Sequence, residues 1–152
     1  MRLVLYQPDI APNVGAAIRI AACFGAGVDI IGPCGFPLNA REIRRVAMDY
    51  NALAQPQIHD SWDQFHQQAS DEGGRLILLT TKAEAGIWER PFMAGDRIII
   101  GRESSGAPDF VHEAADERLC IKLAPNARSL NMAVAAGVAL AEARRQIGWD
   151  SA

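Results

Sequence analysis

The sequence predicts an α/β fold with a mainly parallel sheet flanked by helices. Short apolar runs alternate along the chain with segments of helical periodicity, and such alternation is typical of a parallel sheet covered on both faces. The runs are continuously apolar rather than alternately apolar and polar, as expected of strands that are buried on both sides. Together, these two observations indicate the fold class.

Strands are predicted at residues 3–6, 28–31, 76–79 and 98–100, with a shorter candidate at 119–121. Helices are predicted at residues 14–24, 40–48, 62–69 and 130–147, and Gly148 ends the last of them. Ligands of such sheets bind beyond the carboxyl ends of the strands. The site is therefore expected among the segments that follow strands, residues 7–15, 80–86, 101–108 and 122–131.

The chain has 152 residues, which predicts a single domain over residues 1–152 with no appended second domain. The formal net charge of −3 excludes a generally basic nucleic-acid coat but allows a local basic patch. The first residues lack a signal peptide's apolar run, and no stretch approaches the ~20 apolar residues of a membrane span. Three scattered cysteines show no metal-binding spacing. We expect a cytoplasmic protein with no metal and no membrane partner.

The first segment with chemical potential contains Asn13, Gly15 and Arg19, near the start of the first predicted helix. Asn13 is a suitable N-cap, and Gly15 permits a backbone or a phosphate to approach the helix closely. Arg19 is surrounded by small apolar residues. Its guanidinium therefore faces water, forms a structural ion pair or serves the site.

The second segment is the loop at residues 101–108, which contains Gly101, Glu103 and Gly106. The two glycines permit tight turns and expose backbone N–H groups, although most loops of this composition are simply turns. The spacing matches neither a P-loop nor a dinucleotide-binding fingerprint. A hydrolase is not indicated either, because no Gly-x-Ser-x-Gly nucleophile elbow occurs in the chain.

The third segment opens the last predicted helix with Ser129 and Asn131. Ser129 is the predicted N-cap and Asn131 lies in the first turn, so helix capping alone would explain both residues. The helix that follows is rich in Ala and apolar nearly all round. This pattern indicates burial within the fold or against a second subunit.

A basic cluster is predicted on the second helix, where Arg41, Arg44 and Arg45 share one face. The cluster is either a solvated surface, partly neutralised by Glu42 and Asp49, or a surface for phosphate contacts with a nucleic acid.

In this order and spacing, the three segments resemble the motifs of the SpoU branch of the SPOUT methyltransferases. The resemblance covers nearly the whole chain, and residues 6–13, 44–45 with 49–50, and 79–82 are similar to the small, single-domain TrmL/YibK-type members. Those members are tRNA 2′-O-methyltransferases that act on the wobble cytidine or uridine, nucleotide 34. The resemblance implies a SPOUT fold with a C-terminal trefoil knot, and a homodimer whose active site lies near the subunit interface.

The resemblance also implies the reaction and the residues that serve it. A methyl group passes from S-adenosylmethionine to a ribose 2′-OH in the anticodon stem-loop of tRNA, leaving S-adenosylhomocysteine. The implied catalytic residues are Asn13, Arg19, Glu103, Ser129 and Asn131. The implied cofactor-binding residues are Leu79, Gly101, Ile121, Ser129 and Leu130, and the implied RNA-binding residues are Arg41, Arg44 and Arg45.

Two positions depart from the family pattern. Ala107 stands where a larger aliphatic side chain is common, and the Ile-Lys-Leu sequence at residues 121–123 replaces a more usual Ile-Pro-Met. The cofactor-pocket wall after Ile121 is therefore the part of the site that the resemblance defines least.

The implied chemistry requires alignment of oxygen, methyl carbon and sulfur, and removal of the hydroxyl proton. Because a guanidinium stays protonated in proteins, we expect Arg19 to fix the ribose–phosphate and stabilise developing alkoxide charge. A phosphate oxygen, water or Glu103 would accept the proton. Two alternatives remain: a SpoU-type 2′-O-methyltransferase for another tRNA or rRNA site, and a non-catalytic RNA-binding α/β module.

Overall fold

The computed structural model describes residues 1–39, 41, 43, 45 and 48–149. Within these residues, six strands form one fully parallel sheet. The strands are β1 (Arg2–Tyr6), β2 (Gly27–Ile31), β3 (Gln57–His59), β4 (Leu76–Leu79), β5 (Arg97–Ile100) and β6 (Glu117–Leu119). Their order across the sheet is β3-β2-β1-β5-β4-β6. The predicted α/β class with a parallel sheet is confirmed.

The helices that flank the sheet are α1 (Ala11–Cys23), α2 (Asn51–Ala54), α3 (Trp62–Glu72), α4 (Asp109–Ala114) and α5 (Met132–Ile147). A 3₁₀ turn at Met48–Tyr50 precedes α2. Of the predicted helix at 40–48, Arg41, Ile43 and Arg45 are helical and Met48 belongs to the 3₁₀ turn, whereas residues 40, 42, 44, 46 and 47 lie outside the described residues. None of the described helices has the length and apolar character needed to cross a bilayer.

The sheet is buried on both faces, as its continuous apolar runs predict. Leu3 and Leu5 belong to a core on one face together with residues of α1 and α5. Val4 and Ile99 belong to a second core on the opposite face, together with Phe65 of α3. Alternate residues of one strand therefore enter different cores, which explains why the strand sequence shows no polar side.

The small residues of α5 allow this helix to pack closely against α1. Ala136 and Ala139 are fully buried, and a Cβ added to Gly137 would lie 3.7 Å from the Ile20 side chain. Val134 is half-exposed. The predicted burial of α5 within the fold is confirmed, and an apolar side chain still lies on its outer surface.

Two predicted helix starts are wrong. The first helix begins at Ala11, because Pro12 fits the first turn, where its missing N–H costs nothing. The N-cap position is therefore Ile10, and Asn13 lies inside the helix. The last helix begins at Met132 with Asn131 as its N-cap, so Ser129 does not cap it.

The sequence patterns also missed three short elements, β3, α2 and α4. In the described sheet, β3 lies at the edge and pairs with β2, and two of its three side chains are exposed, so it lacks a continuous apolar run. The predicted strand at 119–121 is instead β6, which ends at Leu119. Ile121 therefore follows the strand and belongs to a loop.

Candidate active site

A cavity of about 510 Å³ lies where β4 and β5 end. Its size falls within the range of about 300–1,000 Å³ that is usual for small-molecule sites. Apolar side chains from Leu79, Ile100, Leu130 and Met132 contribute to its lining, and polar groups come from the loops that follow the strands. This position beyond the carboxyl ends of parallel strands is the one that the fold class predicts.

All five residues of the predicted cofactor set line this cavity: Leu79, Gly101, Ile121, Ser129 and Leu130. Four of the five predicted catalytic residues line it as well: Asn13, Glu103, Ser129 and Asn131. Residues that are widely separated in sequence are therefore brought to one site.

A chain of hydrogen bonds joins three of these residues. The Asn131 side-chain amide donates to Asn13 Oδ1 at 3.1 Å, and the Asn13 amide donates to Glu103 Oε1 at 3.1 Å. The other carboxylate oxygen, Glu103 Oε2, accepts the backbone N–H of Asp9 at 2.8 Å. Since Asn131 Oδ1 also accepts the N–H groups of Ala133 and Val134, each amide has its orientation fixed by its partners.

The loop carrying Glu103 is also bound by an ion pair. Arg102 contacts the Asp9 carboxylate, with its Nη2 3.2 Å from Oδ1, and the Ser104 backbone N–H donates to Asp9 Oδ2 at 3.0 Å. Hydrogen bonds from Ser104 lower the pKa of Asp9 below its usual value, and the Arg102 charge lowers it further. Asp9 is thus held as a carboxylate at the edge of the site.

Gly101 allows the same loop to fold tightly. A Cβ at Gly101 would lie 2.4 Å from the Ala107 nitrogen and 2.5 Å from the Gly106 carbonyl carbon. Reciprocal backbone hydrogen bonds of 3.2 and 2.9 Å between Arg102 and Gly106 close the loop. Only a glycine fits this close approach, since any side chain would displace the loop.

Arg19 does not line the cavity of its own chain. It is exposed on α1, and its guanidinium lies 5.0 Å from the ring centroid of Tyr50, within cation–π distance. Arg41 and Arg45 are exposed as well, whereas Arg44 lies outside the described residues. Neither Arg41 nor Arg45 lines the cavity.

Among the described residues of the lining, three with ionisable side chains were not selected from the sequence: Arg102, Lys82 and His112. Lys82 and Arg102 lie in segments that follow strands, so their position was a usable signal. His112 belongs to α4, which the sequence patterns missed. In the part of the chain that the structure describes, no group of three or more His, Cys, Asp or Glu residues could hold a metal ion.

Comparisons with known proteins agree with this geometry. The model of the SpoU rRNA Methylase family matches residues 1–141. The tRNA (cytidine(34)-2'-O)-methyltransferase of Beijerinckia indica is 45% identical over 96% of this chain and 91% of its own length. A solved structure described as "Structural insights into the 2-OH methylation of C/U34 on tRNA" has a TM-score of 0.86 and 39% identity, with coverage of 95% and 94% of the two chains.

A SpoU methyltransferase from Streptomyces viridochromogenes, solved with S-adenosylmethionine, shares the fold at a TM-score of 0.87 and 22% identity. This chain covers 60% of that protein, while 96% of this chain is matched. The family match extends over most of the chain, and the sequence relative shares close to half of its residues. The chain therefore belongs to the SpoU rRNA Methylase family.

Proposed function

We propose that this protein is a tRNA 2′-O-methyltransferase that methylates the ribose of the wobble cytidine or uridine, nucleotide 34. Relatives of nearly equal length are named tRNA (cytidine(34)-2'-O)-methyltransferase, and the solved structure of similar fold is described as concerning C/U34. The observation that carries the proposal is the hydrogen-bonded chain Asn131–Asn13–Glu103 beside the cavity. A non-catalytic RNA-binding module has no need for this arrangement.

S-adenosylmethionine fits the cavity that these residues line. The apolar walls provide surface for the cofactor, and Gly101 lets the backbone of the loop approach it without an intervening side chain. Leu79, Ile121, Ser129 and Leu130 would complete the binding site. When bound, the cofactor supplies a methyl group on a cationic sulfonium and leaves as S-adenosylhomocysteine.

The polar residues beside the cavity orient the target ribose. Asn13 and Asn131 present amides of fixed direction, and Ser129 adds a hydroxyl at the same edge. Both oxygens of Glu103 already accept N–H groups, which favours an orienting role for this carboxylate. A phosphate oxygen or water then accepts the hydroxyl proton.

Arg19 serves the site of a second subunit in a homodimer. Its guanidinium lies apart from its own cavity, and α1 carries it on an exposed surface. The apolar residues Ile10, Leu130 and Val134 are between 37% and 50% exposed, and Ile10 and Leu130 also line the cavity. A partner covering this surface would bury them and bring its Arg19 to the ribose–phosphate.

The basic cluster of Arg41, Arg44 and Arg45 contacts the anticodon stem through phosphates. Arg41 and Arg45 are exposed, as such contacts require. The net charge of −3 makes the attraction local, so affinity for arbitrary RNA is expected to be modest. With tRNA as substrate, the enzyme acts in the cytoplasm, as a single domain whose C-terminal segment forms a trefoil knot.

The direct test is methyl transfer from labelled S-adenosylmethionine to bulk tRNA from a strain that lacks the gene. Label in 2′-O-methylcytidine or 2′-O-methyluridine, mapped to nucleotide 34, is the expected result. Label at another tRNA nucleotide or in rRNA would reassign the substrate within the family. Absence of both label and cofactor binding would refute the methyltransferase function.

Comparison of two Arg19 variants tests the role of that residue. Arg19→Lys keeps a cation and should retain measurable activity, whereas Arg19→Ala should lose it. Equal loss in both variants would contradict a purely electrostatic role. Mixing Arg19→Ala with an Asn13→Ala variant adds a test of the dimer, because a mixed dimer has one intact composite site if Arg19 acts across the interface.

A further inference from the structure

The ion pair between Arg102 and Asp9 has no role in the mechanism above, yet it adjoins the loop that carries Glu103. Arg102 Nε and Nη2 both contact Asp9 Oδ1, at 3.3 and 3.2 Å, and its Nη1 contacts the Gln7 side-chain oxygen at 3.4 Å. The Asp9 side chain is 22% exposed and that of Arg102 is 34% exposed. The pair is therefore partly shielded from solvent rather than fully on the surface.

Asp9 binds the loop at residues 101–108 through both its side chain and its backbone. The carboxylate accepts from Arg102 and from the Ser104 backbone N–H, the two residues on either side of Glu103. The backbone N–H of Asp9 donates to Glu103 itself at 2.8 Å. Asp9 thus contacts three consecutive residues of this loop, from Arg102 to Ser104.

We propose that Asp9 and Arg102 are positioning residues for methyl transfer, forming a latch that fixes the Glu103 carboxylate and, through it, the amides of Asn13 and Asn131. This inference rests on the proposed function. The Asp9–Arg102 latch acts through the loop and needs no contact with RNA. The latch contributes by keeping the amides that orient the reacting ribose in place.

The size of the effect follows from how tightly such geometry must be held. Without the latch, the carboxylate of Glu103 keeps its bonds to Asn13 and to the Asp9 backbone N–H, but its loop loses the side-chain contacts of Asp9 that restrain Arg102 and Ser104. A misplacement of about 1 Å in an active site can cost about 100-fold in rate. We expect each latch variant to lower kcat by about 10- to 100-fold, while cofactor affinity and the KM for tRNA change less than about threefold.

The test uses Asp9→Asn, Arg102→Gln and the double variant in the full-length protein. Asp71→Asn is the matched control, because it removes the same charge from an exposed position on α3. Steady-state kinetics with tRNA give kcat and KM separately, and calorimetric titration with S-adenosylmethionine gives cofactor affinity. Thermal unfolding checks that each variant folds. If Arg102→Gln does not fold, Arg102→Lys replaces it, alone and in the double variant.

The latch predicts that the double variant loses little more activity than either single variant, since both break one interaction. Additive losses, or losses mainly in KM that grow with salt, would overturn the proposal and assign Arg102 to direct RNA binding. Unchanged kcat in Asp9→Asn would overturn it as well.

A readout that does not depend on activity separates this inference from the proposed function. The side-chain amide resonances of Asn13 and Asn131 should shift in Asp9→Asn and stay in place in Asp71→Asn. If the wild-type protein transfers no methyl group to tRNA, the proposed function fails, and these resonances still decide the latch. Unmoved resonances in Asp9→Asn would overturn it.

Discussion

Replacing Gly101 with alanine is the most direct test of the cavity as a cofactor site. The added Cβ would lie 2.4 Å from the Ala107 nitrogen, about 1 Å closer than ordinary van der Waals contact. The neighbouring atoms belong to the backbone, so no side chain can rotate away. The loop must therefore move by about 1 Å, which is incompatible with the reciprocal Arg102–Gly106 hydrogen bonds.

The magnitude follows from these contacts. Two backbone hydrogen bonds at about 1 kcal/mol each give a loss of about 2 kcal/mol, or a fall in Tm of about 4–8 °C for a domain of this size. If cofactor binding must instead restore the loop, the same energy weakens binding about 30-fold. Gly106→Ala is the matched control, because its φ of 72° costs about 1–2 kcal/mol in a residue with a Cβ, but no atom lies within 4 Å of that Cβ.

The assay is calorimetric titration of each variant with S-adenosylmethionine, together with thermal unfolding. We expect Gly101→Ala to bind the cofactor much more weakly than wild type, and Gly106→Ala to bind it nearly as well despite lower stability. If Gly101→Ala binds the cofactor as tightly as wild type, the loop is not part of the cofactor site and the reasoning is refuted.

Three further predictions concern stability and RNA binding. Hydrogen bonds from Arg145 and Gln146 lower the pKa of Glu142 from 4.5 to about 2, so Glu142→Gln should cost about 1 kcal/mol at pH 7. That difference should disappear in urea unfolding as pH falls from 4.5 to 2; a pH-independent difference would contradict it. Leu78→Ala, at a fully buried position, should lower the free energy of unfolding by about 3–5 kcal/mol, and a loss under 1 kcal/mol in the same assay would count against a tightly packed core. Replacing Arg41 with Gln should reduce the salt dependence of tRNA binding, in log–log form, by about one unit of slope, whereas an unchanged slope would remove it from the interface.

The sequence predicts the sheet well because burial on both faces leaves continuous apolar runs in the central strands. It fails at β3, where edge pairing leaves Gln57 and Ile58 exposed and the apolar signal is lost. It also fails at the two helix starts, because both Asn13 and Ser129 have side chains suited to capping. Local propensity does not show which of these side chains makes a tertiary contact instead of a cap. Asn13 donates to Glu103 instead of capping its helix.

The site is predictable as a set of residue types and not as a geometry. Placing polar residues after strands is enough to bring Asn13, Glu103 and Asn131 together, because parallel strands end at one edge. The separation of Arg19 from the cavity and the contact between Arg102 and Asp9 depend on side-chain directions in three dimensions. No local pattern in the sequence carries that information.

The hydrogen bond between Asn131 and Asn13 joins residues 118 positions apart. At synthesis rates of about 5–20 residues per second, roughly 6–24 s pass between the synthesis of Asn13 and that of its partner. During that interval, Asn13 has no Asn131 to orient it, even if β1 and α1 have already formed. A nascent or truncated polypeptide that ends before residue 131 therefore lacks the complete series of hydrogen bonds from Asn131 through Asn13 to Glu103. Methyl transfer therefore depends on the finished polypeptide, because an incomplete copy lacks the amide that orients Asn13.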